Sequence, residues 1–212
     1  MKGIWFDNIH SYNDLNLILS KVNIPPAIPK TSYVDIPAGD GSVDLTEALG
    51  EVKFADREAT ITFTVLPTDN FEDKKKEISN LLNGVRFGQI IVDKDPNYYW
   101  IGRCKINEYA SDKNIHKIVV GAILAPYKLK VSQTVVNVPK GKNVPVTLEN
   151  GRKRVVPTIT CTEDATIVFG GNTYEISAGT HTLLDIVLTF GNNTVTVTSD
   201  DTVTFSYQEG DL

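Results

Sequence analysis

Ala59-Thr60-Ile61-Thr62-Phe63-Thr64-Val65 alternates apolar side chains with threonines at a strict period of two. That period puts Ala59, Ile61, Phe63 and Val65 on one face and the threonines on the other, as in a half-buried strand. Thr and Val are β-branched, and their stiff side chains suit a pleated surface. Toward the C-terminus, Gln89 to Val92 and Tyr98 to Tyr109 read as two more strands. Asp93-Lys94-Asp95-Pro96-Asn97 between them supplies the turn formers of a hairpin. His116 to Leu124 is β-rich and apolar on both faces toward its end, which places it centrally in a sheet.

One stretch has a different period. Across Phe71 to Asn83, continuing to Val85, Ile78, Leu81, Leu82 and Val85 recur at helical spacing, with Lys74, Lys75 and Lys76 largely on the other side. Asp69 is expected to cap this helix with Glu72 as its box partner, and Gly84 to supply a left-handed stop. Tyr12 to Ser20, with Leu15, Leu17, Ile18 and Leu19, reads as a weaker helical or turn segment. Ile24 to Gly50 is broken by Pro25, Pro26, Pro29, Pro37, Gly39 and Gly41. Such a stretch is either a surface loop with a short strand or two, or an arm that reaches a neighbouring subunit.

The texture changes after Ala125-Pro126-Tyr127. Pro139 to Asn143 reads as a loop and Asn150 to Arg154 as a polar turn. Short β runs follow at Val155 to Cys161, Ala165 to Phe169, Thr173 to Ile176, Leu183 to Phe190, Thr194 to Thr198 and Thr202 to Tyr207. Gly170-Gly171-Asn172, Ala178-Gly179, Gly191-Asn192-Asn193 and Asp200-Asp201 separate them. Many short strands with regular turns point to a sandwich or jelly roll. The expected division is therefore 1–130 and 131–212.

Composition narrows the function classes. The 212 residues are 41% hydrophobic and 22% charged, an ordinary globular balance. Residues 1–130 carry 16 Lys+Arg against 17 Asp+Glu, and the rest carry 5 against 9, so neither part has the basic excess of a general nucleic-acid binder. No apolar run has membrane-spanning length, and Met1 to Asp7 lacks the features of a signal peptide, so folding in a cytoplasm is expected. Cys104 and Cys161 then suit two reduced, packed thiols, and the Asn192-Asn193-Thr194 sequon carries no meaning.

No catalytic, cofactor-binding or metal-binding residue is nominated. His10, His116 and His181 are scattered. Asp93 to Asn97 imitates the start of a calcium loop, but Tyr98 stands where Gly is needed and Cys104 where Glu is needed. There is no Gly-x-Ser-x-Gly elbow, and Gly141-Lys142 lacks the rest of a phosphate loop. Lys74 to Lys76 and Arg152 to Arg154 are too short to be nucleic-acid patches. Tyr98 and Trp100 share one strand face, which suits core or subunit interface better than a stacking platform. An enzyme is not expected.

The order of the segments resembles a known family. Gly3 to Tyr12 is similar to the opening of siphovirus distal tail proteins (Dit-like). Ile36-Pro37-Ala38-Gly39-Asp40-Gly41-Ser42-Val43-Asp44-Leu45-Thr46-Glu47, followed by Arg57 and the alternating strand, resembles a Pro-Gly-x-Gly-x-x-Asp-Leu-Thr segment of that family. Asp95 to Arg103, Ala125-Pro126-Tyr127, and the run from Val155 to Leu212 resemble further family segments in the same order. The resemblance implies a mainly β chain: a tail-tube-like β-sandwich with one flanking helix and an extended arm, then a small galectin-like or carbohydrate-module-like β-sandwich.

It further implies a structural, hexameric ring at the virion tail tip, assembled in the bacterial cytoplasm. The ring would link the tail tube to the baseplate and receptor-binding apparatus, with DNA passing through its lumen without specific binding. Pro37, Gly39, Asp40, Gly41, Asp44 and Leu45 then mark the arm that contacts the next copy, and deleting Ile28 to Gly41 is expected to leave a folded monomer. Two rival readings are a carbohydrate-binding adhesion module using Tyr98, Trp100 or Tyr174, and a tail tube subunit.

Overall fold

A computed structural model describes residues 2–48, 50–65, 70–112 and 115–212. Its contacts divide the chain into Met1–Lys128 and Leu129–Leu212. The first unit contains β1 (Ile4–Phe6), β2 (Ile9–His10), β3 (Leu17–Asn23), β4 (Tyr33–Asp35), β5 (Ser42–Asp44), β6 (Arg57–Val65), α1 (Phe71–Leu82), β7 (Arg86–Val92), β8 (Tyr98–Asp112) and β9 (Ile115–Leu124). Apart from β4 and β5, its strands form one sheet in the order β2-β1-β7-β8-β9-β6-β3.

The opening alternation explains how this sheet buries a core. On β6, Ala59, Ile61, Phe63 and Val65 point inward and are at most 3% exposed, while the threonines point out. Phe6 on β1 meets Phe63 on β6 edge-on with ring centroids 6.4 Å apart, although three strands separate β1 from β6 in the sheet. The sheet therefore curls over itself, and its two ends form the two layers of the sandwich. Phe87 joins them, 5.3 Å from Phe6. β9 is central as expected, pairing with β6 from Arg57↔Leu124 to Val65↔His116 and with β8 along its whole length. At Gly102 on β8 a Cβ would lie 2.6 Å from the Ile123 carbonyl oxygen, so this close approach needs glycine.

The helix spans Phe71–Leu82 and buries Ile78 and Leu82. Asn70 caps it: its Oδ1 accepts from the Glu72 N–H at 3.1 Å. The expected cap, Asp69, lies outside the described residues. Glu72 does not reach back as a box partner; its carboxylate pairs with Lys75 at 2.7 Å, one turn on. Gly84 ends the helix with φ +80° and donates its N–H to the Cys104 carbonyl.

Tyr12 to Ser20 is half as read. Residues 11–15 turn, with the Asp14 and Asn16 N–H groups donating to the His10 and Tyr12 carbonyls. From Leu17 the chain is the edge strand β3, paired Leu17↔Val65 with β6. Asn16, at φ +54°, stops any helix before it starts.

β10 (Lys128–Lys130) begins on the last residue of the first unit, and the second unit contains β11 (Thr134–Val138), β12 (Gly141–Asn150), β13 (Thr158–Cys161), β14 (Ala165–Phe169), β15 (Asn172–Ile176), β16 (Gly179–Thr182), β17 (Gly191–Ser199), β18 (Val203–Tyr207) and β19 (Gly210–Asp211). Two sheets of order β11-β18-β13-β16 and β12-β17-β14-β15 face one another. This interleaving of eight strands is a jelly roll. Leu148, Ile159, Ile167, Val195, Val197 and Phe205 fill the space between them.

Several segments differ from their sequence reading. Pro139 to Asn143 is not all loop: β12 begins at Gly141 with a bulge before Val144, and its Pro145 is tolerated because β12 is an edge strand. Gly179, expected in a turn, opens β16, paired Cys161↔Gly179 with β13.

Leu183 to Phe190 is not a strand; only Leu188 bridges, to Val155. Ile186 and Leu188 are nevertheless fully buried. The backbone there is satisfied partly by the Leu188–Val155 bridge and partly by side chains, Asn150 Nδ2 donating to the Leu188 carbonyl and Asn193 holding Thr189. Asn193 Oδ1 accepts from Thr189 N–H at 2.9 Å, and its Nδ2 donates to the Thr189, Gly191 and Leu148 carbonyls at 2.8, 3.0 and 3.2 Å. A loop stapled in this way carries apolar residues to the core without strand geometry.

Candidate functional site

The arm between β3 and β6 leaves the curled sheet at a defined root. Arg57, the first residue of β6, is 7% exposed. Its Nε donates to the Pro126 carbonyl at 2.9 Å and its Nη1 to the Pro25 carbonyl at 3.2 Å. One guanidinium thus ties the arm's exit to the end of the first unit. Phe54 packs edge-on against Tyr127 with ring centroids 6.0 Å apart, closing the other side of the root. Outward from there the two chains of the arm run antiparallel: Ala55 N–H donates to the Ile28 carbonyl, Lys30 N–H to the Lys53 carbonyl, and Leu45 N–H to the Ser32 carbonyl. The arm is therefore a ribbon, with one isolated bridge and a short hairpin, which supplies the short strand or two that the sequence reading allowed between its breakers.

The hairpin pairs β4 and β5 as Tyr33↔Asp44, Val34↔Val43 and Asp35↔Ser42. Gly39 N–H donates to the Ile36 carbonyl at 3.0 Å across Pro37 and Ala38. Pro37 supplies the fixed φ of the first turn position, and Ala38 adopts φ +64° at the second, as a type II turn requires. Gly41 follows at φ +73°. Asp44 Oδ1 accepts the Thr46 N–H at 2.9 Å, and Thr46 Oγ1 accepts the Ser32 N–H at 3.0 Å. The Thr46 hydroxyl and amide hold the Asp44 carboxyl below the usual carboxylate range. Pro37, Gly39, Asp40 and Gly41 thus sit in the tip, and Asp44 and Leu45 in and just after the returning strand.

Among the described residues, the alternating aliphatics of this hairpin are not covered as a core strand is. Val34, Ile36, Val43 and Leu45 share one face and are 48%, 53%, 42% and 42% exposed. Tyr33, Asp35, Ser42 and Asp44 occupy the other face, and every residue of β4 and β5 is exposed. A lone two-stranded hairpin is marginal in water.

The other sequence candidates are absorbed by the fold. Trp100 lies in the core, and Tyr98 sits beneath Lys128 Nζ, which is 4.1 Å from the ring centroid and ion-paired with Asp95 at 2.7 Å. Asp93 accepts the Gly3 N–H and pairs with His10 at 3.1 Å. Lys74 pairs with Glu77, and Arg152 lies over the Phe190 ring. Burial pushes the Cys104 thiol up to about 12, far from thiolate reactivity at neutral pH. A shallow cleft of about 430 Å³ on the jelly roll is lined by Asp164, Thr166, Glu175, Thr198 and Asp200 among others, with no aromatic side chain. What sequence reasoning missed is the role of Arg57 at the root. An arginine opening an apolar strand was the available signal, but its two acceptors come from distant segments.

A curled sheet with one flanking helix and a ribbon arm, followed by a jelly roll, defines a mainly β chain in two units. No protein family model and no curated protein matches its sequence. Among solved structures it is similar to the Dit protein (gp 19.1) of phage SPP1, described as a paradigm of the hub adsorption apparatus in phages infecting Gram-positive bacteria. The likeness has a TM-score of 0.69 at 15% identity and covers 98% of this chain and 99% of that one. The chain therefore has the Dit-like fold across nearly its whole length, as the order of its sequence segments implied.

Proposed function

We propose that the chain is a structural, non-catalytic subunit of a phage tail tip that assembles into a closed ring, hexameric in number. The ring links the tail tube to the baseplate and receptor-binding proteins, lets DNA through its lumen without specific binding, and forms in the host cytoplasm. The observation that carries this reading is the arm: a rigidly rooted hairpin whose aliphatic face is uncovered, on a chain with the fold of a phage hub protein. Rings need head-to-tail contacts in which one patch meets a different patch on the next copy, and a projecting arm supplies the first patch. The adhesion-module reading loses its main support, since Trp100 is buried and the jelly-roll cleft has no aromatic platform.

The test is the solution mass and negative-stain appearance of the purified chain. A closed ring of uniform mass is expected; long tubes favour a tube subunit, and a monomer with glycan affinity favours the adhesion module. The ribbon also improves the deletion. Removing Ile28 to Gly41 would cut the paired stem, whereas joining Lys30 to Lys53 through a short Asn-Gly turn keeps the root intact. That variant is expected to fold and to lose the ring.

A further inference from the structure

Three Asx-Gly pairs occur in the chain: Asp40-Gly41, Asn83-Gly84 and Asn150-Gly151. In such a pair the glycine nitrogen can attack the side-chain carbonyl carbon of the residue before it, because no Cβ hinders closure of the five-membered ring. The attack has two structural requirements. The side chain must be free to swing over the next peptide, and the glycine N–H must not be held by a carbonyl.

The fold blocks both asparagine pairs. Asn83 Oδ1 accepts the Ile106 N–H at 3.0 Å, and the Gly84 N–H donates to the Cys104 carbonyl at 2.9 Å. Asn150 is 2% exposed, and its Nδ2, the group that would leave as ammonia, donates to the Lys153 and Leu188 carbonyls at 2.9 and 3.1 Å. Gly151 is pressed as well, since a Cβ there would lie 2.6 Å from the Gly210 carbonyl oxygen. Asp40-Gly41 is different. Both residues are exposed at the tip of the β4–β5 hairpin. Among the described residues, neither the Asp40 carboxyl nor the Gly41 N–H has a hydrogen-bond partner. Nothing lies within 4 Å of the Cβ position at Gly41, which precedes the ladder that begins at Ser42.

We infer that Asp40-Gly41 is a site of spontaneous backbone isomerisation in the folded chain. The Gly41 nitrogen bonds to Asp40 Cγ, the hydroxyl of the protonated carboxyl leaves with the nitrogen's proton as water, and a succinimide closes. Water then adds back to one of the two ring carbonyls. At Cγ it breaks the new bond and regenerates aspartate. At the main-chain carbonyl it breaks the original peptide bond and leaves isoaspartate, with the chain running through Cβ and Cγ. No oxidant, cofactor or second copy is consumed. The product carries one extra methylene in the main chain and a free α-carboxylate, so the turn that joins Asp35 to Ser42 is lengthened. The tip of the arm therefore changes with the age of the chain, while the two pinned pairs do not.

The test holds the full chain for weeks at neutral pH in water enriched in oxygen-18, then digests it in ordinary water for peptide mapping. Isoaspartate at position 40 carrying the heavy oxygen is expected to accumulate, with Asn83 and Asn150 remaining amides. In denaturant the order should reverse, because unconstrained Asn-Gly pairs close faster than Asp-Gly pairs. Asp40→Glu, whose longer side chain would need a six-membered ring, should lose the signal at position 40 with the melting temperature unchanged. Deamidation of Asn83 or Asn150 ahead of isomerisation at Asp40 in the folded chain overturns the inference, as does an Asp40 that takes up no heavy oxygen. The reaction is intramolecular, so a monomeric chain gives the same result and the outcome is independent of the ring reading.

Discussion

The β4–β5 hairpin and strand β6 are built from the same kind of sequence and end in opposite environments. Each belongs to an antiparallel ladder, and in each β-branched and aliphatic side chains alternate with polar ones. On β6 the inward side chains are at most 3% exposed; on the hairpin the corresponding aliphatics are 42% to 53% exposed. Local propensity is therefore not what separates them. The β6–β9 pair has a curled sheet to close over it, whereas among the described residues no second sheet closes over the hairpin and its aliphatics stay about half exposed. A ladder kept without a core keeps its apolar face available for something else, whereas a ladder in the core is held by what it buries.

Substitutions can break or sharpen this contrast. The largest effect is expected at Phe63→Ala, which empties a fully buried ring site and should cost about 3–5 kcal/mol in denaturant unfolding. Val43→Ala on the arm should shift the same curve by only about 0.5 kcal/mol or less, and a large loss there would show that the hairpin packs on its own body. Asn193→Ala removes the staple of the 183–190 loop and strands several backbone groups. A loss of about 1–3 kcal/mol is expected in thermal melts, with Ile186 and Leu188 becoming less protected.

Arg57→Met frees the Pro25 and Pro126 carbonyls at the arm's root. A smaller global loss, about 1–2 kcal/mol, is expected, together with faster proteolysis between Ile24 and Asp56; unchanged cleavage would show that the root is held by Phe54 and Tyr127 alone.

The smallest effect is local and depends on pH. The Asp44 carboxyl is held below its ordinary range by the Thr46 hydroxyl and amide, so its contribution to turn order is complete above that range. It is lost as pH falls through the depressed folded value. The Thr46 amide resonance should report this change while the jelly-roll signals stay still.

Strands with an unambiguous period were legible in the residues, as were the turn formers between them. Ala59 to Val65, Tyr98 to Tyr109, His116 to Leu124 and the helix from Phe71 fall where their patterns put them, because one face of each meets a core and selection of apolar residues follows that face. Segments satisfied by side chains or by remote partners were not legible. Leu183 to Phe190 has the composition of a strand, but a single bridge to Val155 and the Asn150 and Asn193 side chains hold its backbone instead of a ladder. Ile24 to Gly50 shows breakers that leave room for a short strand or two, and which residues pair to make it a ribbon depends on partners up to Ala55. The cap at Asn70 in place of Asp69 is a one-residue choice between equally suited side chains, which local sequence does not resolve. At the candidate site, the tip residues Pro37 to Gly41 were visible from their turn chemistry. Arg57 at the root was not, since its two acceptors, Pro25 and Pro126, lie far along the chain.

By itself, then, the order of residues determined the β-rich class, the helix from Phe71, the change of texture after Tyr127 and the position of the arm, because periodicity and turn chemistry are local properties. Only the tertiary structure decided that one sheet curls until Phe6 meets Phe63, that eight strands interleave as a jelly roll, and that Val34 and Val43 stay in solvent while Ile61 and Phe63 do not. Those outcomes depend on which distant surfaces close over one another, and burial is a property of the pair of surfaces and not of either strand.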